Sequence, residues 1–176
     1  MDKYIYFAAE MSLLKWGSEQ FMSEASFLEE AQKWMSPADL TYLNEARIDR
    51  YDPHKTPGIY TDYLEFELTL REELARYRRA AKEGYDYKFV HIPPSLIKEG
   101  NPLENELNLM KYRWQWLEER EFAHYSDPDF FVLYFLKLQI LQRAARLKQE
   151  AGEAAFSSLI ASKTENSEGS GSGSRK

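Results

Sequence analysis

The residues best suited to chemistry are three histidines, His54, His91 and His124, and one of them lies in a recognisable pattern. Glu121 and His124 form an E-x-x-H motif. Di-iron helical bundles use two such motifs and two further Glu residues, because the metal ions take ligands from four helices. This sequence has a single copy, near a predicted helix end, with no second His in register. We therefore expect a surface Glu and His here and no metal site.

Other catalytic and cofactor-binding patterns are missing from the sequence. It contains no G-x-x-x-x-G-K-[ST] phosphate loop, no G-x-G-x-x-G after a strand and no G-x-S-x-G elbow. Without cysteine there are no thiolate ligands, thiolate nucleophiles or disulfides. Adjacent acids such as Glu72 and Glu73 diverge on a helix, and we interpret them as parts of solvated faces. We predict no catalytic, metal-binding or cofactor-binding residue, and a protein that is not an enzyme.

Two tryptophans point in different directions on one predicted helix. Trp114 belongs to its apolar stripe, whereas Trp116 lies about 200° further round and must contact something else. We favour a second helix of the same domain as that contact. The alternative is an interface patch of Tyr112, Arg113 and Trp116, because Trp, Tyr and Arg are enriched in binding hot spots. Trp16, in a loop near the N-terminus, is a further candidate for the same reason.

The charge of the chain limits its partners. A net charge of −6 argues against sequence-independent binding to nucleic acid, which needs many Lys and Arg contacts to phosphate. Basic residues nevertheless gather near two predicted helix ends, at positions 76–82 and 143–148. The helix macrodipole favours cations at C-termini, and we prefer that explanation to a docking patch for an acidic partner.

Apolar periodicity and capping residues predict a mainly α fold. Residues 4–8 are mostly β-branched or aromatic and predict a short strand or an extended segment. A turn-rich stretch over 49–58 and an extended connection over 85–100 separate the longer elements. Helices are predicted after Ser23, after Ser36-Pro37, from Ile59 to Glu83 with Gly84 as its cap, from Pro102 to about His124, and from about Asp129 with a candidate break at Gly152.

These elements predict one domain, a helical bundle of long antiparallel helices over residues 1–163, followed by a disordered Gly/Ser-rich tail over 164–176. The longest apolar run, 130–136, is far shorter than the ~20 residues that span a membrane. The N-terminus lacks the pattern of a secretory signal. We therefore expect a cytoplasmic protein without direct membrane insertion.

Several segments share a combination of helix starts and aromatic positions. They are Tyr4-Ile5-Tyr6-Phe7-Ala8-Ala9 with Leu13-Leu14, Ser36-Pro37-Ala38-Asp39-Leu40, Asn101-Pro102-Leu103-Glu104, Arg113-Trp114 with Leu117-Glu118-Glu119, and Leu133-Tyr134 with Leu136-Lys137-Leu138 and Ile140-Leu141. Together they resemble an uncharacterised family encoded inside bacterial V-type (V/A-type) ATPase operons. The resemblance extends from the N-terminus to about residue 150.

The resemblance implies a non-catalytic subunit of a V/A-type rotary ATPase involved in ion or proton transport. It implies a C-type central-stalk component, the helical socket that has the rotor shaft and the membrane ring as partners. Such a protein would be cytoplasmic and peripheral to the membrane through the complex. Two alternatives remain open: an assembly or regulatory factor of the same ATPase, and a small helical enzyme or ligand-binding protein with no recognisable motif.

Overall fold

The structure is a computed structural model that describes residues 4–50, 58–97 and 101–168, and the regular elements of these residues are all helical. The predicted mainly α bundle is therefore confirmed. The helices are α1 (Ile5–Glu10), α2 (Glu24–Trp34), α3 (Pro37–Glu45), α4 (Ile59–Glu83), α5 (Pro102–Glu121) and α6 (Pro128–Glu168), with a 3₁₀ turn (Pro94–Leu96) between α4 and α5.

Capping residues set several helix boundaries where the sequence predicts them. The Ser36 hydroxyl accepts the backbone N–H of Asp39 at 3.3 Å at the start of α3. The Asn101 side chain accepts the N–H of Glu104 at 3.0 Å at the start of α5. Gly84 adopts a left-handed conformation (φ 76°) directly after α4, which a residue without Cβ does at little cost.

Helix α6 is the central element, and it packs against α2, α3, α4 and α5. Every residue from 131 to 141 is buried, including the polar Lys137 and Gln139. The Gln139 amide donates to the carbonyl of Ala46 at 2.9 Å and accepts the N–H of Ile48 at 3.1 Å. Because buried amides need partners, these two bonds hold the segment after α3 against the central helix.

Helices α4 and α5 lie side by side and run antiparallel. Tyr63, near the start of α4, contacts Trp116, near the end of α5, with ring centroids 5.8 Å apart. Further along α4, Glu67 contacts Arg113. The α5–α6 connection is short, and these two helices also pack together. The predicted arrangement of long antiparallel helices is present.

The N-terminal segment differs from the prediction. Residues 4–8 do not form a strand or an extended segment, because α1 begins at Ile5. The Phe7 ring stacks on Phe131 at 4.5 Å and on Phe27 at 5.9 Å, and Tyr4 N–H donates to the Ser126 carbonyl at 3.1 Å. The strand prediction was wrong because these tertiary contacts outweigh the β propensity of the segment.

The C-terminal half also refines the predicted boundaries. Helix α5 ends at Glu121, and α6 continues without a break at Gly152 as far as Glu168. Residues 164–168 of the predicted tail are thus helical, whereas residues 169–176 lie outside the described residues, as do 51–57 of the turn-rich stretch. Residues 85–97 contain no α-helix, as predicted for this connection. None of the helices in the described part of the chain is both long and apolar enough to cross a membrane.

Candidate functional site

Trp116 contacts α4 of the same domain, as the intramolecular interpretation predicts. Its ring stacks on Phe66 at 4.9 Å and meets Tyr63 edge-on. The Arg120 guanidinium lies 3.5 Å from the Trp116 ring centroid, a cation–π contact one turn along α5. These neighbours give Trp116 a structural role between α4 and α5.

Part of the Trp116 surface still faces a shallow groove of about 420 Å³ that Phe66 and Arg120 also line. Tyr112 is half-buried beside it, with its ring 5.6 Å from Phe66 and its hydroxyl donating to the His91 carbonyl at 3.3 Å. Tyr112 and Trp116 therefore share one neighbour and one side of α5. An interface role for these two residues stays a prediction.

Arg113 is occupied inside the protein. Its Nε and Nη2 donate to the two oxygens of the fully buried Glu67 carboxylate, at 2.7 and 2.8 Å. Arg71 donates to the same carboxylate at 2.6 Å from one turn further along α4. Burial alone would lower the pKa of Arg113, but the bonds to Glu67 outweigh it and raise that pKa. Arg113 holds α5 against α4 and is not placed beside Trp116 as an exposed anchor.

Trp16 lies on a different surface from Tyr112 and Trp116. Its ring is 5.9 Å from the buried ring of Trp114, on the opposite face of α5. It lines a cavity of about 230 Å³ together with Leu141 and Ala144 of α6. The four residues predicted for one kind of role are thus distributed over three environments, and only Tyr112 and Trp116 share one.

The acid pair on α4 shows a second difference from the sequence interpretation. Glu72 is exposed, but Glu73 is buried and accepts the backbone N–H groups of Val90, His91 and Ile92, the last two at 2.8 Å. Burial by itself would raise the pKa of the Glu73 carboxyl, and the three N–H donors outweigh it and lower that pKa. The prediction of a solvated Glu73 was wrong, because this carboxylate anchors the connection between α4 and α5.

The two residues of the E-x-x-H motif have separate partners. Glu121 accepts from Lys137 of α6 at 2.5 Å. His124 Nδ1 lies 2.7 Å from Asp127, which also accepts the N–H of Phe130 and thereby caps α6. Within the described residues, no group of three or more His, Asp or Glu side chains is arranged to hold a metal ion.

An apolar groove at one end of the bundle is the largest exposed apolar feature of the described residues, and the sequence interpretation missed it. Leu13, Phe122 and Tyr125 are 81%, 83% and 68% exposed and surround a cavity of about 460 Å³. Phe130 and Tyr134, from the start of α6, form part of its wall. We call this surface the end groove. Its exposed residues are isolated apolar positions in connections, where no periodic pattern could reveal them.

A buried charge lies at the base of the end groove. Lys137 is 3% exposed, pairs with Glu121, and has its Nζ 4.9 Å from the centroid of the Trp114 ring. A buried ammonium group is strongly unfavourable unless it is paired, and Lys137 has both a carboxylate and an aromatic face. The Tyr134 hydroxyl donates to the Ser12 carbonyl at 3.0 Å and fastens the loop that carries Leu13. The groove therefore has an apolar rim over a fixed polar base.

Comparison with known families gives one match. Residues 95–167 match a family described as a protein of unknown function, DUF2764. The matched region covers α5 and nearly all of α6, which include Phe130, Tyr134 and Lys137 of the end groove. No curated protein and no solved structure matches the chain.

Proposed function

We propose that this chain is a non-catalytic subunit of a V/A-type rotary ATPase, a C-type central-stalk component that links the rotor shaft to the membrane ring. The choice of complex rests on the sequence resemblance to the family encoded in V/A-type ATPase operons. The expectation that the chain binds other proteins rests on its exposed surfaces. Ion or proton transport would then be a property of the complex, and this chain would contribute mechanical coupling.

The observation that carries the binding part of the proposal is the end groove. Contiguous apolar side chains on the surface of a monomer are typical of protein interaction sites, whereas isolated ones are not informative. Leu13, Phe122 and Tyr125 surround one cavity, so a partner side chain inserted there would bury all three together. Aromatic anchors in such a site are the residues that usually dominate binding energy.

The long helix supports a coupling role. Helix α6 has 41 residues, and at ~1.5 Å per residue it is roughly 60 Å long. It begins at the end groove, where Phe130 and Tyr134 form part of the wall, and its first part is enclosed by four other helices. A rod clamped in this way transmits force with little bending. A partner bound at the groove would therefore be connected mechanically to the rest of the bundle.

Recovery of tagged protein from cells that express a V/A-type ATPase tests the proposal. We expect rotor-shaft and ring subunits to co-purify with the wild-type chain. The double variant Phe122→Ser/Tyr125→Ser should lose them, because it removes two apolar walls of the groove. Tyr85→Ser/Val90→Ser is the matched control, since both side chains are exposed and lie outside the groove. Wild-type protein recovered without the other ATPase subunits would contradict the proposal.

The same experiment separates a permanent subunit from an assembly or regulatory factor. A permanent subunit should be found with the intact, active ATPase in constant proportion to the other subunits. Recovery only with partly assembled complexes would instead identify a transient factor. Metal analysis and a nucleotide-binding screen of the purified chain test the remaining alternative of a small helical enzyme or ligand-binding protein.

A further inference from the structure

The two basic groups that are far apart in the sequence meet in the folded protein. Arg78, from the end of α4, and Arg143, on α6, line one cavity of about 480 Å³. Arg143 and Arg146 line an adjoining cavity of about 530 Å³. The two cavities share Ile48, Asp49 and Arg143 and so form one continuous depression, which we call the arginine trough.

The cations of the arginine trough are all of one type. They are Arg47, Arg50, Arg71, Arg78, Arg113, Arg143 and Arg146. The trough thus contains seven of the 11 arginines in the chain and none of its 12 lysines. A planar guanidinium offers five N–H donors in a fork that matches a carboxylate or a phosphate, whereas lysine offers a point charge. This selection of arginine is not explained by charge alone and indicates recognition of planar or multidentate anions.

The trough also differs in charge from the rest of the protein. Its acids are Glu24, Asp49, Glu67, Glu106 and Glu150. Positive side chains therefore outnumber negative ones by two in the trough, although the whole chain has a net charge of −6. A local excess of positive charge on an acidic protein steers acidic partners to one place.

Some of these arginines are occupied and others are not. Arg71 and Arg113 bind Glu67, and Arg47 binds Glu24 at 2.9 Å. Arg78, Arg143 and Arg146 are exposed, and none of them forms an ion pair with any described residue. Since Arg143 and Arg146 extend from the packed part of α6, their starting points are fixed, and their guanidinium groups remain available to a ligand.

We infer that the arginine trough binds an acidic segment of another polypeptide. Its positive charges are spread out: Arg71 and Arg78 are two turns apart on α4, which is ~10 Å along the helix. A single phosphate cannot contact charges so far apart, but carboxylates spaced along a chain can. The trough also offers apolar contacts, from Leu74, Met110 and Ile140, to the apolar side chains of such a segment.

The acids inside the trough select against nucleic acid. A phosphodiester backbone presents one negative charge at every nucleotide and is bound by tracts of cations. Asp49 and Glu106 would repel such a backbone, whereas a polypeptide can leave those points uncharged or place a lysine there. This inference goes beyond the proposed function, since it concerns a different surface from the end groove and holds for any complex in which the chain takes part.

Fluorescence anisotropy with a defined probe tests the inference. The probe is a short fluorescein-labelled peptide in which Glu alternates with Leu and Ala, and the control peptide has Gln in place of each Glu. We expect the wild-type chain to bind the Glu peptide saturably at low salt and the Gln peptide much more weakly. Binding should weaken as salt is raised, because exposed ion pairs are screened. Equal binding of the two peptides, or no binding of the Glu peptide, overturns the inference.

Matched variants locate the binding. Arg143→Gln/Arg146→Gln removes two trough cations, and Arg76→Gln/Arg79→Gln removes the same charge from exposed positions of α4 outside the trough. We expect the first pair to weaken the Glu peptide roughly tenfold and the second pair to change it less than about twofold. Equal loss in both double variants shows that net charge is responsible and overturns the assignment.

Two competitor arms identify the chemical class. An oligothymidine or inorganic phosphate should displace the Glu peptide poorly. Tighter binding of oligothymidine than of the peptide would make the trough a nucleic-acid site, and displacement by low phosphate concentrations would make it a phosphate site; either result overturns the inference. Failure here, with ATPase subunits still recovered through the end groove, would leave the proposed function intact, and the converse result would leave the trough intact.

Discussion

The arginines of this protein form two groups with opposite surroundings. Arg113 and Arg71 lie against the buried carboxylate of Glu67, where their charge is neutralised inside the fold. Arg143 and Arg146 project from α6 at the surface without an ion-pair partner among the described residues. The first group is needed for folding and the second is available for binding. Identical side chains therefore have separate roles that are set by burial.

Removal of the buried guanidinium should have the largest effect on stability. Arg113→Ala leaves Glu67 with one remaining partner, and we expect a loss of about 3 kcal/mol in the free energy of unfolding. Arg71→Ala should cost about 1 kcal/mol, because the Arg71 side chain is 38% exposed whereas that of Arg113 is 16% exposed. Urea unfolding measures both values. A larger loss for Arg71→Ala than for Arg113→Ala contradicts this ranking.

The adjacent acids of α4 extend the comparison to carboxylates. Glu73→Gln keeps the shape of the side chain but replaces one acceptor oxygen with a donor that faces backbone N–H groups. We expect a loss of about 1–3 kcal/mol, because a buried donor is then left unsatisfied. Glu72→Gln, at the exposed position beside it, should change stability by less than about 0.5 kcal/mol. Thermal unfolding of the two variants decides the point, and equal losses would remove the distinction.

The same carboxylate should make stability depend on acid. The pKa of Glu73 is lowered in the folded protein, so its ionised form is preferred there relative to the unfolded chain. Its contribution is present above the pKa of an unfolded glutamate, about 4.3, and is lost as the pH falls through the lower folded-state value. Between about pH 5 and pH 3, Glu73→Gln should therefore lose less stability than wild type. Parallel pH profiles would show that Glu73 makes no such contribution.

Tyr63 offers a smaller effect in the opposite direction. Its hydroxyl is buried without a hydrogen-bond partner among the described residues, and burial raises the pKa of the phenol. Tyr63→Phe removes an unsatisfied polar group and keeps the ring contacts with Phe66 and Trp116. We expect a change between zero and a gain of about 1 kcal/mol in unfolding free energy. A clear loss would mean that the hydroxyl has a partner in solution.

The surface arginines should have the smallest effect on stability. Arg143→Gln/Arg146→Gln should leave the unfolding free energy within about 0.5 kcal/mol of wild type, because both side chains are exposed. The same double variant is expected to weaken acidic-peptide binding. A marked drop in melting temperature would place these arginines in the structural group with Arg113.

The fold could be predicted from local signals to a large extent. The Ser36 and Asn101 caps and the terminal Gly84 define helix boundaries through interactions within a few residues, which a sequence displays directly. Residues 4–8 could not be assigned in this way. Their helix depends on stacking of Phe7 against Phe27 and Phe131, which are distant in sequence.

The candidate sites were less predictable, because they depend on which helices are neighbours. The periodicity around Trp116 indicated a second contact face, but not that α4 supplies it. Arg78 and Arg143 look like separate helix-end cations until α4 and α6 are placed side by side. Glu73 looks solvated beside Glu72 until the following connection folds back over it.

Binding of the purified chain to a purified V/A-type ATPase that lacks it tests the central claim most directly. We predict that the wild-type chain and Tyr85→Ser/Val90→Ser co-elute with the ATPase in size-exclusion chromatography. Phe122→Ser/Tyr125→Ser should elute alone while retaining its helical circular dichroism spectrum. Separate elution of the folded wild-type chain, or equal binding of the groove variant, would contradict the proposed role of the end groove in the ATPase.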